Sequence, residues 1–234
     1  MIHQDIVLKL SGEILGKNSR TSIAPQYIHH YVTEIKAAYQ LGTQIAIVIG
    51  GGNIWRGKQA AKLGMSKEAG DYMGLLATVM NGIALHHALQ AVGLSAVLMT
   101  RLAIPAIGEP YYPTKAKEYL SQRKIVVLAG GTGEPGCTTD SAATLAAIEL
   151  EVDICIKGTQ VDGVYTQDPK QNPAARLYTT LSLKEAIKKQ LEVMDRGALK
   201  MCIANQMNIH VYNATRPQEL RKVLCGEKVG TLLY

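Results

Sequence analysis

The stretch Gln44-Ile45-Ala46-Ile47-Val48-Ile49-Gly50-Gly51-Gly52-Asn53 decides the fold. A short, continuously apolar run rich in β-branched residues and ended by glycine reads as a strand buried on both faces, as in a parallel sheet. The glycines beyond it let backbone N–H groups approach an anion closely. Working outward, the same pattern recurs: the apolar run at 6–10 leads into Lys9-Leu10-Ser11-Gly12, that at 124–129 into Gly130-Gly131-Thr132-Gly133-Glu134-Pro135-Gly136, and that at 154–157 into Lys157-Gly158-Thr159. Two further strands are expected at 95–98 and 209–213, with helices at 25–41, 70–91, 114–123, 139–150, 182–189 and 195–206. In the first helix Ile28, Val32, Ile35 and Tyr39 recur at helical spacing and line one face. Strands alternating with helices in this way predict an α/β domain with a largely parallel sheet. The turns after parallel strands share one edge, where ligands bind in open α/β folds. Glycine turns flanked by Lys, Arg and Thr and followed by helix starts point to a polyphosphate-bearing ligand.

Composition agrees with that architecture. The 234 residues are 47% hydrophobic and 19% charged, which allows a substantial core and excludes disordered and collagen-like chains. Phenylalanine is absent and there is one Trp beside 11 Tyr, so the core must be built from Ile, Leu, Val, Ala and Met. A formal net charge of +6 favours anionic partners without choosing among them. No Lys- or Arg-rich run of the kind a nucleic-acid arm carries is present, so nucleic acid is not the expected partner. The four cysteines, Cys137, Cys155, Cys202 and Cys225, form no Cys-x-x-Cys pair, which fits a reduced protein without structural zinc. The apolar run near the N-terminus is too short for a signal peptide or membrane span, and the expected location is the cytoplasm. A weak boundary falls near 129–131, where a second strand–glycine–helix series begins.

Two motif readings fail on spacing or context. Gly12-Glu13-Ile14-Leu15-Gly16-Lys17-Asn18 is one residue short of a P-loop and has Asn18 where a hydroxyl would hold magnesium. Gly131-Thr132-Gly133-Glu134-Pro135-Gly136 fits the dinucleotide fingerprint but lies in mid-chain, and Asp153, about twenty residues on, precedes a strand instead of ending one.

Taken together, the blocks resemble the bacterial uridylate kinases of the amino-acid-kinase superfamily. The resemblance rests on Lys9-Leu10-Ser11-Gly12-Glu13, Val48-Ile49-Gly50-Gly51-Gly52-Asn53 with Arg56-Gly57, Gly70-Asp71-Tyr72-Met73-Gly74, and Ala77-Thr78-Val79-Met80-Asn81-Gly82. It continues through Gly131-Thr132-Gly133, Thr138-Thr139-Asp140-Ser141-Ala142-Ala143, Lys157-Gly158-Thr159-Gln160-Val161-Asp162-Gly163-Val164-Tyr165, Asp168-Pro169 and Val193-Met194-Asp195. These blocks stand in order along nearly the whole chain.

The resemblance implies a three-layer α/β/α sandwich forming a single domain over 1–234, with the acceptor side mainly within about 1–130 and the ATP side mainly within about 131–234. It implies transfer of the ATP γ-phosphoryl group to UMP with Mg²⁺ carried by ATP, a place in pyrimidine nucleotide biosynthesis, and a homo-oligomer, typically a hexamer. Lys9, Arg56, Asp140 and Asp195 match the catalytic positions. ATP contacts match Lys9, Leu10, Ser11, Gly12, Gly52, Arg56, Thr159, Tyr165 and Asp168. UMP contacts match Gly51, Asp71, Thr132, Gly133, Glu134, Pro135, Gly136, Cys137, Thr138 and Thr139. A second role is open for three of them: Asp71 as the N-cap of the long helix, and Asp140 and Asp195 as capping carboxylates at helix starts.

The chain departs from the family in three places. Glu134 stands where many members carry asparagine, and Gly136-Cys137 replaces a pair of phenylalanines on the uracil side. Residues 17–22 occupy the segment tied in many relatives to GTP activation but lack its glycine–phenylalanine character. Lys200 reads as an exposed helix lysine. Rival readings are a relative phosphorylating a carboxylate such as acetylglutamate or carbamate, a non-catalytic nucleotide- or oxyanion-binding protein, and a nucleic-acid-binding protein.

Overall fold

The computed structural model describes residues 3–16, 21–169 and 171–234. Its elements in chain order are β1 (Asp5–Leu10), α1 (Gly12–Leu15), α2 (Pro25–Gln40), β2 (Gln44–Ile49), α3 (Lys58–Lys62), α4 (Lys67–Ala91), β3 (Ala96–Thr100), β4 (Glu109–Pro110) and α5 (Pro113–Ser121). The second half adds β5 (Ile125–Ala129), α6 (Thr139–Leu150), β6 (Ile154–Thr159), β7 (Thr180–Leu181), α7 (Leu183–Lys188), α8 (Arg196–Ala204), β8 (Ile209–Asn213), α9 (Glu219–Leu224) and β9 (Thr231–Leu233).

The strands form one sheet in the order β4-β3-β5-β2-β1-β6-β8-β9-β7, with every pairing parallel except β8 with β9. Strand side chains alternate between two cores. Ile6, Leu8, Ile45, Ile47, Ile49, Ile154 and Ile156 meet α1, α2, α4 and α9. Val7, Ala46, Val48 and Cys155 meet α5, α6, α7 and α8 on the other face. The expected three layers are present, with apolar strands buried on both sides. One consequence governs the site. Lys9 and Lys157 share the parity of Val7 and Cys155, so at the strand ends both continue the row that faces α6.

The six longer strands and the helices α2, α4, α5, α6, α7 and α8 fall where the sequence predicts them. The long helix starts earlier than expected, at Lys67, because Ser66 caps it by accepting from the Ala69 amide at 3.1 Å. Asp71 therefore lies one turn inside α4, and the N-cap role open to it from sequence belongs to Ser66. The elements absent from the sequence reading are short: β4, β7 and β9 span two or three residues, and α1, α3 and α9 four to six. Such lengths carry no periodicity to read. Residues 17–20, which include most of the segment compared with the GTP-responsive site, lie outside the described residues.

Candidate active site

The turns after β1 and β2 meet the start of α6 at the C-terminal edge of the sheet. The Gly50 amide donates to the Leu10 carbonyl at 3.0 Å. A side chain at Gly12 would meet the Gly50 carbonyl oxygen at 2.3 Å, so only glycine permits this approach. Leu10 itself is buried in the core, leaving only its backbone at the turn. The Ser11 carbonyl accepts from the Tyr31 hydroxyl at 3.2 Å, tying this turn to α2. The Gly51 carbonyl accepts from the Ile54 and Trp55 amides, each at 3.0 Å, which curls residues 51–55 into a compact turn.

At the centre of this edge lies a largely buried charge cluster. Asp140, in the first turn of α6, has its Oδ1 3.1 Å from the Lys9 ammonium and its Oδ2 2.7 Å from that of Lys157. Lys157 also donates to the Val193 carbonyl at 2.6 Å. Burial alone would raise the Asp140 carboxyl, but the Lys9 and Lys157 ammonium groups outweigh it and hold the group below its ordinary value. For Lys157 burial is the largest influence and lowers its affinity for the proton; Asp140 opposes it and Lys9 adds to it. Lys157 was not among the site residues expected from the resemblance. Part of the signal was available: Lys157, like Lys9, stands where an apolar run leads into a glycine turn, and the sheet then places the two on adjacent strands.

The second acidic residue is joined to the first through α6. Asp195 caps α8, accepting from the Ala198 amide at 2.9 Å, and its other oxygen accepts from Ser141 Oγ at 3.1 Å and from Thr138 Oγ1. Thr138 in turn caps α6, accepting from the amides of Asp140 and Ser141 at 3.1 Å. The capping explanation for Asp195 is thus present, together with side-chain bonds that lead directly to Asp140's helix turn. Thr139 begins α6 beside Gly50.

Arg56 and Glu13 form an exposed ion pair at 2.7 Å, and Glu13 lies beside Gly52. Asp71 pairs with Lys67 one turn earlier on α4, at 2.6 Å, and faces Gly57. Residues 130–138 form the opposite wall. Thr132 Oγ1 donates to the Glu134 carbonyl and accepts from its amide, while Glu134, Gly136 and Cys137 are exposed and Pro135 half-buried. Gly133 and Gly136 turn this wall with positive φ, and Gly136 comes near the Lys67 ammonium.

Helix α4 supports both walls. Asn81, fully buried, donates to the Gly50 carbonyl at 2.7 Å and exchanges side-chain hydrogen bonds with Asn53 at 2.7 and 3.1 Å. Three residues earlier, Thr78 Oγ1 accepts from the Gly130 amide at 2.8 Å. Neither was expected as a site residue, because a Thr and an Asn within a long apolar helix also read as packing.

Thr159, Tyr165 and Asp168 belong to a neighbouring group beyond β6 and β8. Thr159 Oγ1 donates within hydrogen-bond distance of the Val161 and Tyr212 carbonyls, at 2.8 and 3.1 Å. Half-buried Tyr165 points its hydroxyl to Asp162, 3.5 Å away, and burial with Asp162 raises its proton affinity. Asp162 is anchored by Asn213 at 2.9 Å and Arg216 at 2.8 Å. Asp168 is exposed, and its carbonyl accepts from the amides of Gln171 and Asn172. Lys200 lies exposed on α8.

The whole arrangement gathers glycine turns, two ammonium groups and a guanidinium at one edge, a chemistry suited to phosphate. Comparison with known proteins agrees. The amino acid kinase family model matches residues 5–213. Uridylate kinase of Shewanella sp. (strain W3-18-1) is 44% identical over 228 residues, covering 97% of this chain and 93% of that protein. The crystal structure of UMP kinase from Bacillus anthracis superposes with a TM-score of 0.97 at 34% identity, covering 100% of this chain and 96% of that one. For UMP kinase from Ureaplasma parvum the TM-score is 0.94 at 34% identity, with 100% and 99% covered. With identity and coverage of this extent, the chain belongs to the amino acid kinase family, among its uridylate kinases.

Proposed function

We propose that the chain transfers the γ-phosphoryl group of ATP to the phosphate of UMP, giving UDP and ADP, as a cytoplasmic enzyme of pyrimidine nucleotide biosynthesis. The observation that carries the reading is the largely buried Lys9–Asp140–Lys157 cluster at an edge lined by glycine turns. An acceptor phosphate has its second pKa at about 6, so it is largely ionised near neutral pH and needs no strong general base. What the reaction requires is in-line positioning and positive charge against the phosphate oxygens.

Each residue then has a task. Lys9 neutralises the transferring phosphoryl group, with Lys157 beside it. Arg56, Gly51 and Gly52 clamp phosphates, the guanidinium matching their oxygens in a fork. Asp71 accepts the UMP ribose hydroxyls, and Thr132, Gly133, Glu134, Pro135, Gly136, Cys137, Thr138 and Thr139 wrap the nucleotide. Lys9, Leu10, Ser11, Gly12 and Gly52 meet the ATP phosphates, and Thr159, Tyr165 and Asp168 its nucleoside. The single domain thus has its acceptor side mainly within about 1–130 and its ATP side mainly within about 131–234, with the 132–139 wall crossing over.

The acidic residues suit a Mg²⁺ that arrives on ATP. Asp140 Oδ1 is buried with no hydrogen-bond partner besides its ion contact with Lys9, and Asp195 is engaged by Thr138 and Ser141. Asp140 and Asp195 would face the ion's waters, and the ion supplies neutralisation of the phosphate oxygens when bound.

The chain is also proposed to act as a homo-oligomer, a hexamer by resemblance. Tyr72, Met73, Leu76 and Met80 leave an exposed apolar stripe along α4, of the kind that marks a contact surface. Leu76→Glu is expected to reduce the assembly's mass in sedimentation; an unchanged mass removes the stripe from the interface.

The test of function is coupled ADP release with Mg-ATP against UMP, CMP, dTMP, AMP, acetylglutamate and carbamate, with Lys9→Ala as control. Turnover with UMP alone, lost in the control, is the expected result. Turnover with a carboxylate instead would overturn the UMP assignment.

A further inference from the structure

Directly after β3, beneath the 130–138 wall, Arg101 joins a polar cluster that the residues compared above do not include. Its amide donates to the Ala129 carbonyl at 3.1 Å. Gly133, with φ of +86°, rests on it: a Cβ at Gly133 would lie 3.3 Å from Arg101 Cβ and 3.4 Å from the Arg101 carbonyl oxygen. The side chain beyond that contact is 15% exposed and held from two directions. Its guanidinium forks onto the Glu149 carboxylate, with Nη1 3.3 Å from Oε1 and Nη2 bonded to Oε2. It also lies 4.2 Å above the Tyr111 ring, whose hydroxyl donates to Glu149 Oε2 at 2.9 Å. Burial, aided by Glu149, raises the Tyr111 phenol, so it remains a donor.

Even a fully buried ion pair adds little net stability compared with an apolar replacement of equal volume, and this one is only part-buried. What this one adds is direction. A bidentate pair fixes the guanidinium plane, and the stacked ring removes its remaining freedom, so the Arg101 stem under Gly133 has one position. Glu149 lies on α6, the helix that Thr138 caps at the end of the same wall. The wall is therefore fixed at its middle and at its end to a single helix.

We propose that Arg101, oriented by Glu149 and Tyr111, is a positioning residue that pre-forms the acceptor wall before UMP arrives. The inference rests on the assignment of residues 130–138 to UMP. Ordering a loop in advance lowers the cost of binding.

The test compares Arg101→Met, Arg101→Lys and the milder Tyr111→Phe by amide hydrogen exchange of the ligand-free protein and by steady-state kinetics. Arg101→Met is expected to speed exchange across residues 130–137 without speeding it in β1 or β6, and to raise KM for UMP about three- to tenfold with KM for ATP and kcat within about twofold. Tyr111→Phe should shift both readouts in the same direction by less, and Arg101→Lys should recover part of the loss. Unchanged exchange in the wall, or exchange raised equally throughout the fold in both Arg101→Met and Tyr111→Phe, overturns the positioning role and leaves the UMP assignment intact. Faster exchange in the wall accompanied by a raised KM for ATP alone overturns the assignment of the wall to UMP, and the proposal with it.

Discussion

Lys9 and Lys157 are register partners on adjacent parallel strands, two ammonium groups side by side with one carboxylate, Asp140, between them. Like charges so placed repel, and a single Asp neutralises only one of them. The excess positive charge faces the edge where phosphates would enter. In a partly buried setting such a fixed charge acts on a developing anion more strongly than it would in water.

Removing Lys9 is expected to act on turnover. Lys9→Ala should lower kcat about 100- to 1000-fold while leaving KM for UMP near its starting value, the magnitude of one lost preorganised donor. Equal loss of binding at unchanged kcat, in steady-state assays, would give Lys9 a binding role instead.

Replacing the shared carboxylate is expected to act on stability. Asp140→Asn leaves two ammonium groups unpaired and should cost about 3–5 kcal/mol in denaturant unfolding. Because the folded Asp140 titrates below its unfolded value of 3.8, its contribution is complete above that pH and is lost as the pH falls through the folded value. The gap in thermal midpoint between wild type and Asp140→Asn should therefore hold near neutrality and close in acid.

On the alkaline side Lys157 is a member of the cluster whose hold on its proton burial weakens. Burial lowers it from 10.5, so the unfolded chain binds its proton more firmly, and its burden on the fold is relieved as pH rises through the folded value. The kcat profile should fall at a pH below 10.5. Lys157→Arg keeps its charge and should move that limb upward; a limb that stays in place excludes Lys157 as its source.

How much of this was legible in the sequence follows from length and from parity. Strands such as β2 are read from unbroken apolar runs, and β4, β7 and β9 are too short to show any period. Lys9 was legible because it stands in a recognisable block. Lys157 stands in one equally, but its role depends on which strand neighbours which, and strand order is set by tertiary packing. Arg101 was not legible at all: Glu149 lies 48 residues away and Tyr111 ten, and nothing local links them. The N-cap role left open for Asp71 goes to Ser66, five residues earlier, which extends the helix by one turn.

Asp71 offers a check on the acceptor side. Asp71→Asn should raise KM for UMP about tenfold or more, as expected for a hydrogen bond to a charged group, with kcat little changed. The exposed Lys67 partner contributes little by itself. A fall in kcat alone would remove Asp71 from the ribose.

Helix α4 has two opposite duties. Its buried side holds Gly130 through Thr78 and Gly50 through Asn81, while its outer side carries the unpaired stripe of Tyr72, Met73, Leu76 and Met80. Thr78 and Asn81 are within one helical turn of Leu76 and Met80. A neighbour pressing on the stripe would therefore push on a stiff rod that sets the spacing between the Gly50 and Gly130 turns. In the proposed assembly, contact and alignment of the site would share one mechanical part, so that a change in one would be felt by the other.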